Sequence, residues 1–208
     1  ESMHMQDKLD YIMDFHERTF DKEEAAELTK YLESNAEGDN TTFQKVTIHS
    51  SFDQVTWGDL EAERITEPSV LIKELTEQTG AFDIEYLAAV REGRQTNRYR
   101  VREYYRIRYT PDRMYLLDFE REMNQIFDEE ADIFVNDKIM LGIVGDEVKI
   151  HESDGGNVFA FVAADKLYSY NVTDNKLARL FSFYENTEGV TDPRNIYDRH
   201  NIQILSVM

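Results

Sequence analysis

The sequence has 208 residues, with 42 acidic against 23 basic side chains and a formal net charge of −19. It contains no cysteine, which excludes disulfide scaffolds, thiol nucleophiles, cysteine-ligated zinc and iron–sulfur clusters. The negative charge repels nucleic acids and anionic membranes, so we expect neither as a general partner. A hydrophobic fraction of 41% is enough for a packed core and excludes a disordered acidic tail.

The first 35 residues predict a helical hairpin. Apolar residues recur at helical spacing in the first helix: Met5, Leu9, Ile12, Met13, His16 and Phe20. Asp21 is a cap for the second helix, and Glu24 three residues later completes a capping-box pattern. The apolar face of this second helix is Ala25, Leu28, Tyr31 and Leu32. We expect it to end before Gly38.

From Thr42 onward the apolar pattern changes to the period of two that is typical of strands. The predicted strands are residues 43–50, 54–60, 69–76, 82–90, 98–110 and 114–119. The last four predict an antiparallel meander over 69–120, with a turn at 95–97. Helices before such a meander indicate an α+β domain in which the helical hairpin covers one sheet face.

Residues 119–127 fit a helix, because Phe119, Met123, Ile126 and Phe127 recur at helical spacing. The acidic run 128–132 then indicates a boundary. We therefore expect two domains, at 1–127 and 128–208. In the second, strands are predicted at 138–144, 147–151, 158–163, 166–172, 177–183 and 202–207, which indicates another antiparallel meander.

Residues 157–183 resemble one blade of a β-propeller. An apolar strand is followed by Leu167-Tyr168-Ser169-Tyr170 and then by a polar turn at 173–176. The resemblance implies about 4–8 blades in a complete propeller, with 202–207 opening the next blade. The alternative is a plain second sheet that extends or faces the first.

The chain as a whole is similar in style to extracytoplasmic regions of uncharacterised Gram-positive bacterial membrane proteins, which join an anchor, a small α+β domain and β-repeats. The similarity implies a location outside the cytoplasm, tethered through a segment absent here; a cytoplasmic location is the alternative. The start at Glu1 and the end at Met208 suggest a piece of a longer protein. Its longest uncharged apolar run is 139–145, too short to insert in a membrane.

The most distinctive segment is an arginine-rich strand. Seven arginines fall between Arg91 and Arg108, and the period of two places most of them on one face. The candidate ligand-binding residues are Arg98, Arg100, Arg102, Tyr104, Arg106 and Arg108, together with the single tryptophan, Trp57. Arginines interleaved with tyrosines can bind phosphates or sugar acids. The alternatives are cross-strand pairing of the arginines with acidic residues and anchoring of the sheet by Trp57.

No other motif predicts a catalytic, metal-binding or nucleotide-binding site. The five histidines have no metal-binding spacing, and the acidic run 128–132 lacks the EF-hand pattern. No G-x-S-x-G elbow, P-loop or G-x-G-x-x-G occurs. We therefore predict no catalytic residue, metal or cofactor. His16, on the helical stripe, is expected to be a partly buried structural histidine.

Three functional hypotheses follow. The first is a non-catalytic, extracytoplasmic interaction or scaffolding region that contacts a protein or a cell-wall component. The second is a binding module for a small anionic or saccharide ligand at the strand 98–109. The third is a fragment of an enzyme whose site lies in a part of the protein outside this sequence.

Overall fold

The computed structural model describes residues 3–92, 95–128, 134–135, 138–139, 148–163, 165–183 and 201–207. The chain divides into two compact units, Glu1–Gln125 and Ile126–Met208. Helices come first, an antiparallel meander follows, and a second antiparallel sheet comes after it. The α+β fold class predicted from the sequence is therefore confirmed.

The N-terminal helical hairpin is present, but its second helix has 3₁₀ geometry. Helix α1 spans Met5–Thr19 and buries Ile12 and Phe15. The 3₁₀ helix spans Glu24–Tyr31. The carboxylate of Asp21 accepts from the backbone N–H groups of Glu23 and Glu24 at 2.9 and 3.3 Å, so the predicted capping residue satisfies backbone donors at this helix start.

The strand predicted at 54–60 is wrong. Ser51 caps a short helix α2, Phe52–Val55, by accepting from the backbone N–H of Gln54 at 3.3 Å. A tight turn follows in which Trp57 and Gly58 both have positive φ, 66° and 54°. A Cβ at Gly58 would lie 2.7 Å from the ring of Phe43, so the turn requires glycine there.

The sheet of the first unit has six strands, all antiparallel. They are β1 Lys45–Thr47, β2 Glu61–Arg64, β3 Ser69–Leu75, β4 Thr79–Glu92, β5 Gln95–Tyr109 and β6 Met114–Gln125. The spatial order is β1-β6-β5-β4-β2, and β3 pairs with the same strand β4 as β2 does. The predicted meander over 69–120 is thus confirmed, whereas β2 was not predicted.

Two local predictions in this sheet are wrong. Residues 119–125 continue β6 and do not form a helix, because β6 pairs with β5 as far as Gln125 opposite Tyr99. Phe119 and Met123 lie on one face in either conformation, so their spacing could not decide between them. Residues 95–97 belong to β5, and Glu92 pairs with Gln95 where the turn was expected to begin.

The core lies between α1 and one face of this sheet. Its buried sheet residues alternate along β4 and β5, as the period of two requires: Phe82, Ile84, Tyr86, Ala88, Val90, Tyr99, Val101, Tyr105 and Ile107. From the helices and the connecting segments, Ile12, Phe15, Leu28 and Trp57 join them. The helices thus cover one face of the sheet only.

A buried lysine ties α1 to the hairpin between β3 and β4. The Nζ of Lys8 donates to the carbonyl oxygens of Met3, Thr76, Glu77 and Thr79, at 2.6–3.2 Å. Desolvation lowers the pKa of Lys8, although the nearby charge of Glu77 opposes the shift. These bonds hold the hairpin loop in one position against the helix.

The second unit has its own sheet, in the order β12-β11-β10-β9. Its strands are β9 Ile150–Glu152, β10 Val158–Ala163, β11 Lys166–Asn171 and β12 Lys176–Ser182. Two short strands, β7 Phe134–Val135 and β8 Lys138–Ile139, pair separately. Phe127, Phe161 and Tyr168 form the core of this unit.

The predicted strands of the second unit are confirmed at 158–163, 166–172 and 177–183, to within a residue. The strand predicted at 147–151 is found at Ile150–Glu152. Of the strand predicted at 138–144, residues 140–144 lie outside the described part of the chain. Residues 201–207 form no regular element, so the strand predicted at 202–207 is wrong.

Candidate functional site

The predicted arginine-rich face exists on β5. Along this strand Tyr99, Val101, Glu103, Tyr105 and Ile107 are buried on the helix side. The alternate residues lie on the opposite face and are half-buried or exposed: Arg98, Arg100, Arg102, Tyr104, Arg106 and Arg108. The strand therefore brings all the arginine-strand candidates to one surface, but their surroundings differ along it.

The middle of this face is neutralised by a carboxylate. The Nη2 of Arg102 donates to both carboxylate oxygens of Asp83, each at 3.1 Å. Asp83 is only 1% exposed and also has the Nζ of Lys73 at 3.4 Å. Arg98 and Arg100 are half-buried and engage other residues. Cross-strand pairing, the alternative considered for this strand, thus applies at Arg102.

The end of the face near the β5–β6 hairpin is different. We call Arg106, Arg108, Arg113 and Tyr115 the distal arginine cluster. The guanidinium carbons of Arg108 and Arg113 lie 4.9 and 4.1 Å from the ring centroid of Tyr115, within the range of cation–π attraction. All three arginines are exposed.

Within the described residues, no carboxylate oxygen comes within 4.0 Å of the three arginines of this cluster. Arg106 is opposite Asp118 in the register of β5 and β6, next to a bulge, yet the two form no ion pair. Arg113 and Tyr115 were not among the predicted site residues. Counting outward from a two-residue turn at Pro111-Asp112 would have placed Tyr115 opposite Arg108.

Trp57 is not part of this surface. Its side chain is 2% exposed, stacks on Phe20 with ring centroids 5.3 Å apart, and has the guanidinium carbon of Arg121 at 3.7 Å. The structure therefore places Trp57 in the core, away from the arginine face with which it was grouped.

A second group of polar residues lies inside the core. We call His16, Tyr86, Glu103 and Tyr105 the buried polar cluster; all four are completely buried. The Nδ1 of His16 is 2.8 Å from Oε2 of Glu103. The hydroxyls of Tyr86 and Tyr105 donate to the two carboxylate oxygens of Glu103, each at 2.7 Å. One carboxylate thus has three partners.

Arg64 connects the buried polar cluster to the helix. The Nη1 of Arg64 is 2.9 Å from Nε2 of His16, so the imidazole lies between this guanidinium and Glu103. Arg64 also pairs with Glu17 on α1, so this contact joins β2 to the helix.

The electrostatics of the buried polar cluster favour an ionised Glu103. Burial is the largest influence and by itself raises the pKa of Glu103; the pairing with His16, the charge of Arg121 and the Tyr105 hydroxyl outweigh it, so the pKa is lowered. Burial and the neighbouring carboxylate raise the pKa of Tyr86 and Tyr105. A charged carboxylate therefore lies among neutral tyrosines.

Arg121 is the buried cation next to this cluster. Its Nη1 and Nη2 donate to the backbone carbonyls of Val55 and Gln54 at 2.9 and 2.7 Å. Burial lowers the pKa of Arg121, and the nearby Tyr86, Glu103 and Tyr105 oppose that shift. Since Arg121 is opposite Glu103 in the β5–β6 register, the two buried charges are on neighbouring strands.

The sequence pointed to only part of this cluster. His16 was expected to be a structural histidine and partly buried; it is completely buried. Glu103 carried a usable signal, because it is an acidic residue in the apolar register of β5. Tyr105 is two residues away on the same strand, but Tyr86 and His16 are 17 and 87 positions away, and no local pattern connects them to Glu103.

In the described part of the chain, no three histidine, aspartate or glutamate residues are placed so that they could hold a metal ion. Of the acidic run 128–132, residues 129–132 lie outside the described residues. No described helix combines the length and the apolar character needed to cross a membrane.

Comparison with known proteins adds no relative: the chain matches no protein-family model, no curated protein and no solved structure.

Proposed function

We propose that this chain is a non-catalytic interaction region of a larger protein and that its distal arginine cluster binds a small anionic ligand. The ligand class is a carboxylate, sulfate or phosphate group, including an acidic saccharide. One observation carries the proposal: Arg106, Arg108 and Arg113 are exposed and lack a carboxylate partner among the described residues, in a protein with 42 acidic residues.

The chemistry of these side chains suits such a ligand. A guanidinium offers a planar fork of donors that matches the oxygens of a carboxylate or phosphate. The ring of Tyr115 contacts the guanidinium groups of Arg108 and Arg113 and so orients their donors. Because the arginines are exposed, each pair contributes at most about 1 kcal/mol. Three such pairs give at most about 3 kcal/mol, so the expected dissociation constant is about 6 mM or weaker.

The net charge of −19 restricts the size of the ligand. A long polyanion would extend beyond the cluster and meet the negative field of the remaining surface, which is screened over only about 8 Å at physiological salt. A small anion avoids that repulsion. This argument supports a monosaccharide or a single acidic group and disfavours nucleic acid.

The test is an NMR titration of the whole chain with a uronic acid and, separately, with the neutral sugar of the same ring. We expect saturable shifts in the amides of residues 106–115 with the uronic acid only. Arg106→Gln and Arg108→Gln should each weaken binding at least threefold.

Arg91→Gln is the control for these variants. It removes the same charge from an exposed arginine whose Nη1 lies 3.9 Å from Glu61, and it should change nothing. Equal binding of the neutral sugar, or equal losses in all three variants, would contradict the proposal.

The location outside the cytoplasm also remains a proposal. It is supported by the acidic, cysteine-free composition. Protease treatment of intact cells that express the full-length protein tests it: cleavage within this region is expected, and protection would contradict it. The propeller interpretation of 157–183 likewise stays a prediction, supported by a four-stranded meander in sequence order.

A further inference from the structure

The edge of the first sheet carries a second interaction surface, separate from the distal arginine cluster. Strands β2 and β3 follow one another along the same edge of β4. Between them the backbone N–H of Ile65 donates to the carbonyl of Leu87, and the N–H of Leu87 donates to Oγ1 of Thr66. Among the described strands, β3 pairs only with β4, so its other side is an open edge.

This edge is unusually apolar for an exposed strand. Val70, Leu71 and Ile72 are 37%, 48% and 42% exposed, and Ile65 just before them is 44% exposed. Natural sheets usually blunt their edges with charges, proline or bulges. Here Pro68 precedes β3 and a bulge at Lys73 interrupts the pairing with β4. The regular open segment is therefore Ser69–Ile72.

Contacts with the rest of the first unit keep this segment in an extended conformation that another strand can pair with. Lys8 fixes the loop that follows β3 through the carbonyls of Thr76, Glu77 and Thr79. The Nζ of Lys73 is 3.4 Å from Asp83, so this lysine is engaged with the sheet's own carboxylate. An edge that is already ordered loses little conformational entropy when another strand is added to it.

The charge around the edge indicates the kind of occupant. Glu67, Glu74 and Glu77 are exposed, and Lys73 is the only basic residue in 67–77. A second copy of this chain would bring another charge of −19 to the same acidic edge, which opposes association. A cationic segment is attracted by the same charges.

We propose that β3 binds a short, extended segment of a partner protein, with basic side chains alternating with apolar ones, by strand addition at Ser69–Ile72. Main-chain hydrogen bonds supply the affinity. Val70 and Ile72, which share one face of β3, receive the apolar side chains, and the glutamates nearby select the basic ones. The proposal is independent of anion binding and holds if that fails.

The test uses the whole chain and three capped six-residue peptides: Lys and Val alternating, Glu and Val alternating, and the first peptide with alternate backbone nitrogens methylated. Binding is measured by calorimetry, and protection of the β3 amides by hydrogen exchange. We expect the first peptide to bind at least tenfold more tightly than either of the others and to protect residues 69–72.

Matched variants locate the site. Ile72→Asn should weaken binding of the Lys-Val peptide at least fivefold. Leu117→Asn introduces the same side chain at an apolar residue of β6 that is 39% exposed, and it should leave binding unchanged. Because both replace an exposed side chain, both should fold, and the methylated peptide tests strand addition without any variant.

The opposite results overturn the proposal. If none of the peptides binds, or the Glu-Val peptide binds as well as the Lys-Val peptide, the cationic segment is excluded. If the methylated peptide binds equally, strand addition is excluded. If the chain dimerises in sedimentation experiments and Ile72→Asn abolishes the dimer, a second copy occupies the edge instead.

Discussion

The two faces of strand β5 differ in whether their charged side chains have partners. On the helix side, Glu103 is completely buried and receives three hydrogen bonds, from His16, Tyr86 and Tyr105. On the other side, Arg106 and Arg108 are exposed and lack a carboxylate partner within the described residues. Neighbouring residues of one strand thus belong to a closed network and to an open surface.

The difference shows which charges stabilise the fold and which are available to a ligand. A buried charge without partners is costly, so the helix-side face contains Glu103 only together with its donors. An exposed arginine costs little when it is unpaired, because water solvates it. Removing a buried charge should therefore destabilise the protein, and removing an exposed one should not.

The largest expected effect is the loss of the buried cation. Arg121→Met removes the donors to the carbonyls of Gln54 and Val55 and leaves Glu103 without its neighbouring positive charge. We expect the free energy of unfolding to fall by about 3–5 kcal/mol, as measured by denaturant unfolding. Arg106→Met, the same change on the open face, should alter it by less than about 0.5 kcal/mol. Equal effects would contradict the contrast between the faces.

The next largest effect tests the buried carboxylate. Glu103→Gln keeps the size of the side chain but replaces one acceptor oxygen by an NH₂ group that faces donors. We expect a loss of about 2–3 kcal/mol, since hydrogen bonds to a charged group are involved. Glu120→Gln on the opposite face of the sheet pairs only with a partly exposed Lys45 and is the control. An unchanged unfolding midpoint in Glu103→Gln would show that the hydrogen bonds are dispensable.

Comparing Glu103→Gln with the native protein also tests how the free energy of unfolding depends on pH. Because the pKa of Glu103 is lowered on folding, its ionised form stabilises the folded state at pH values above the unfolded pKa of about 4.3. That stabilisation is lost as the pH falls below 4.3 and through the folded pKa. The stability difference between the native protein and Glu103→Gln should thus shrink between pH 5 and pH 3. A stability difference that stays constant or grows would contradict a lowered pKa of Glu103 in the folded state.

The smallest effect is expected in the middle of the arginine face. Arg102→Gln removes the bond to Asp83, which is nearly fully buried, but Lys73 stays 3.4 Å from that carboxylate. We expect a loss of about 1 kcal/mol, between the values for a buried and an exposed pair. Thermal unfolding measures it, with Arg108→Gln as the control for an arginine without an acidic partner. A fall in the free energy of unfolding as large as that of Arg121→Met would show that Arg102 contributes as much as a fully buried charge.

The sequence predicted the regular parts of the fold well, for a physical reason. In β5 the alternation of Arg and apolar residues runs through the whole strand, and a period of two has one structural solution. At 119–125 and 54–60 the prediction failed. Phe119 and Met123 share a face in a helix and in a strand alike, and Ser51 starts a helix that pattern reading took for part of a strand.

The sequence likewise predicted only some of the residues of the candidate site. The arginine face follows from alternation alone, but Arg113 and Tyr115 come from the adjacent strand through the register of β5 and β6. Two of the three partners of Glu103 lie on other elements, His16 on α1 and Tyr86 on β4. Which arginine has a carboxylate partner depends on contacts such as Arg102–Asp83, between residues on different strands.

By itself, the sequence determined the α+β class, the separation of β5 into an arginine face and a buried face, and the absence of any cysteine-based site, because periodicity and composition are local properties. Only the tertiary structure decided that Glu103 is buried with His16, that Trp57 belongs to the core, and that β3 pairs with β4 alone among the described strands. Those features depend on which distant segments meet. The net charge of −19 sums over the whole chain and does not show where the charges lie. The register of β5 and its neighbouring strands determines where positive charge is left exposed.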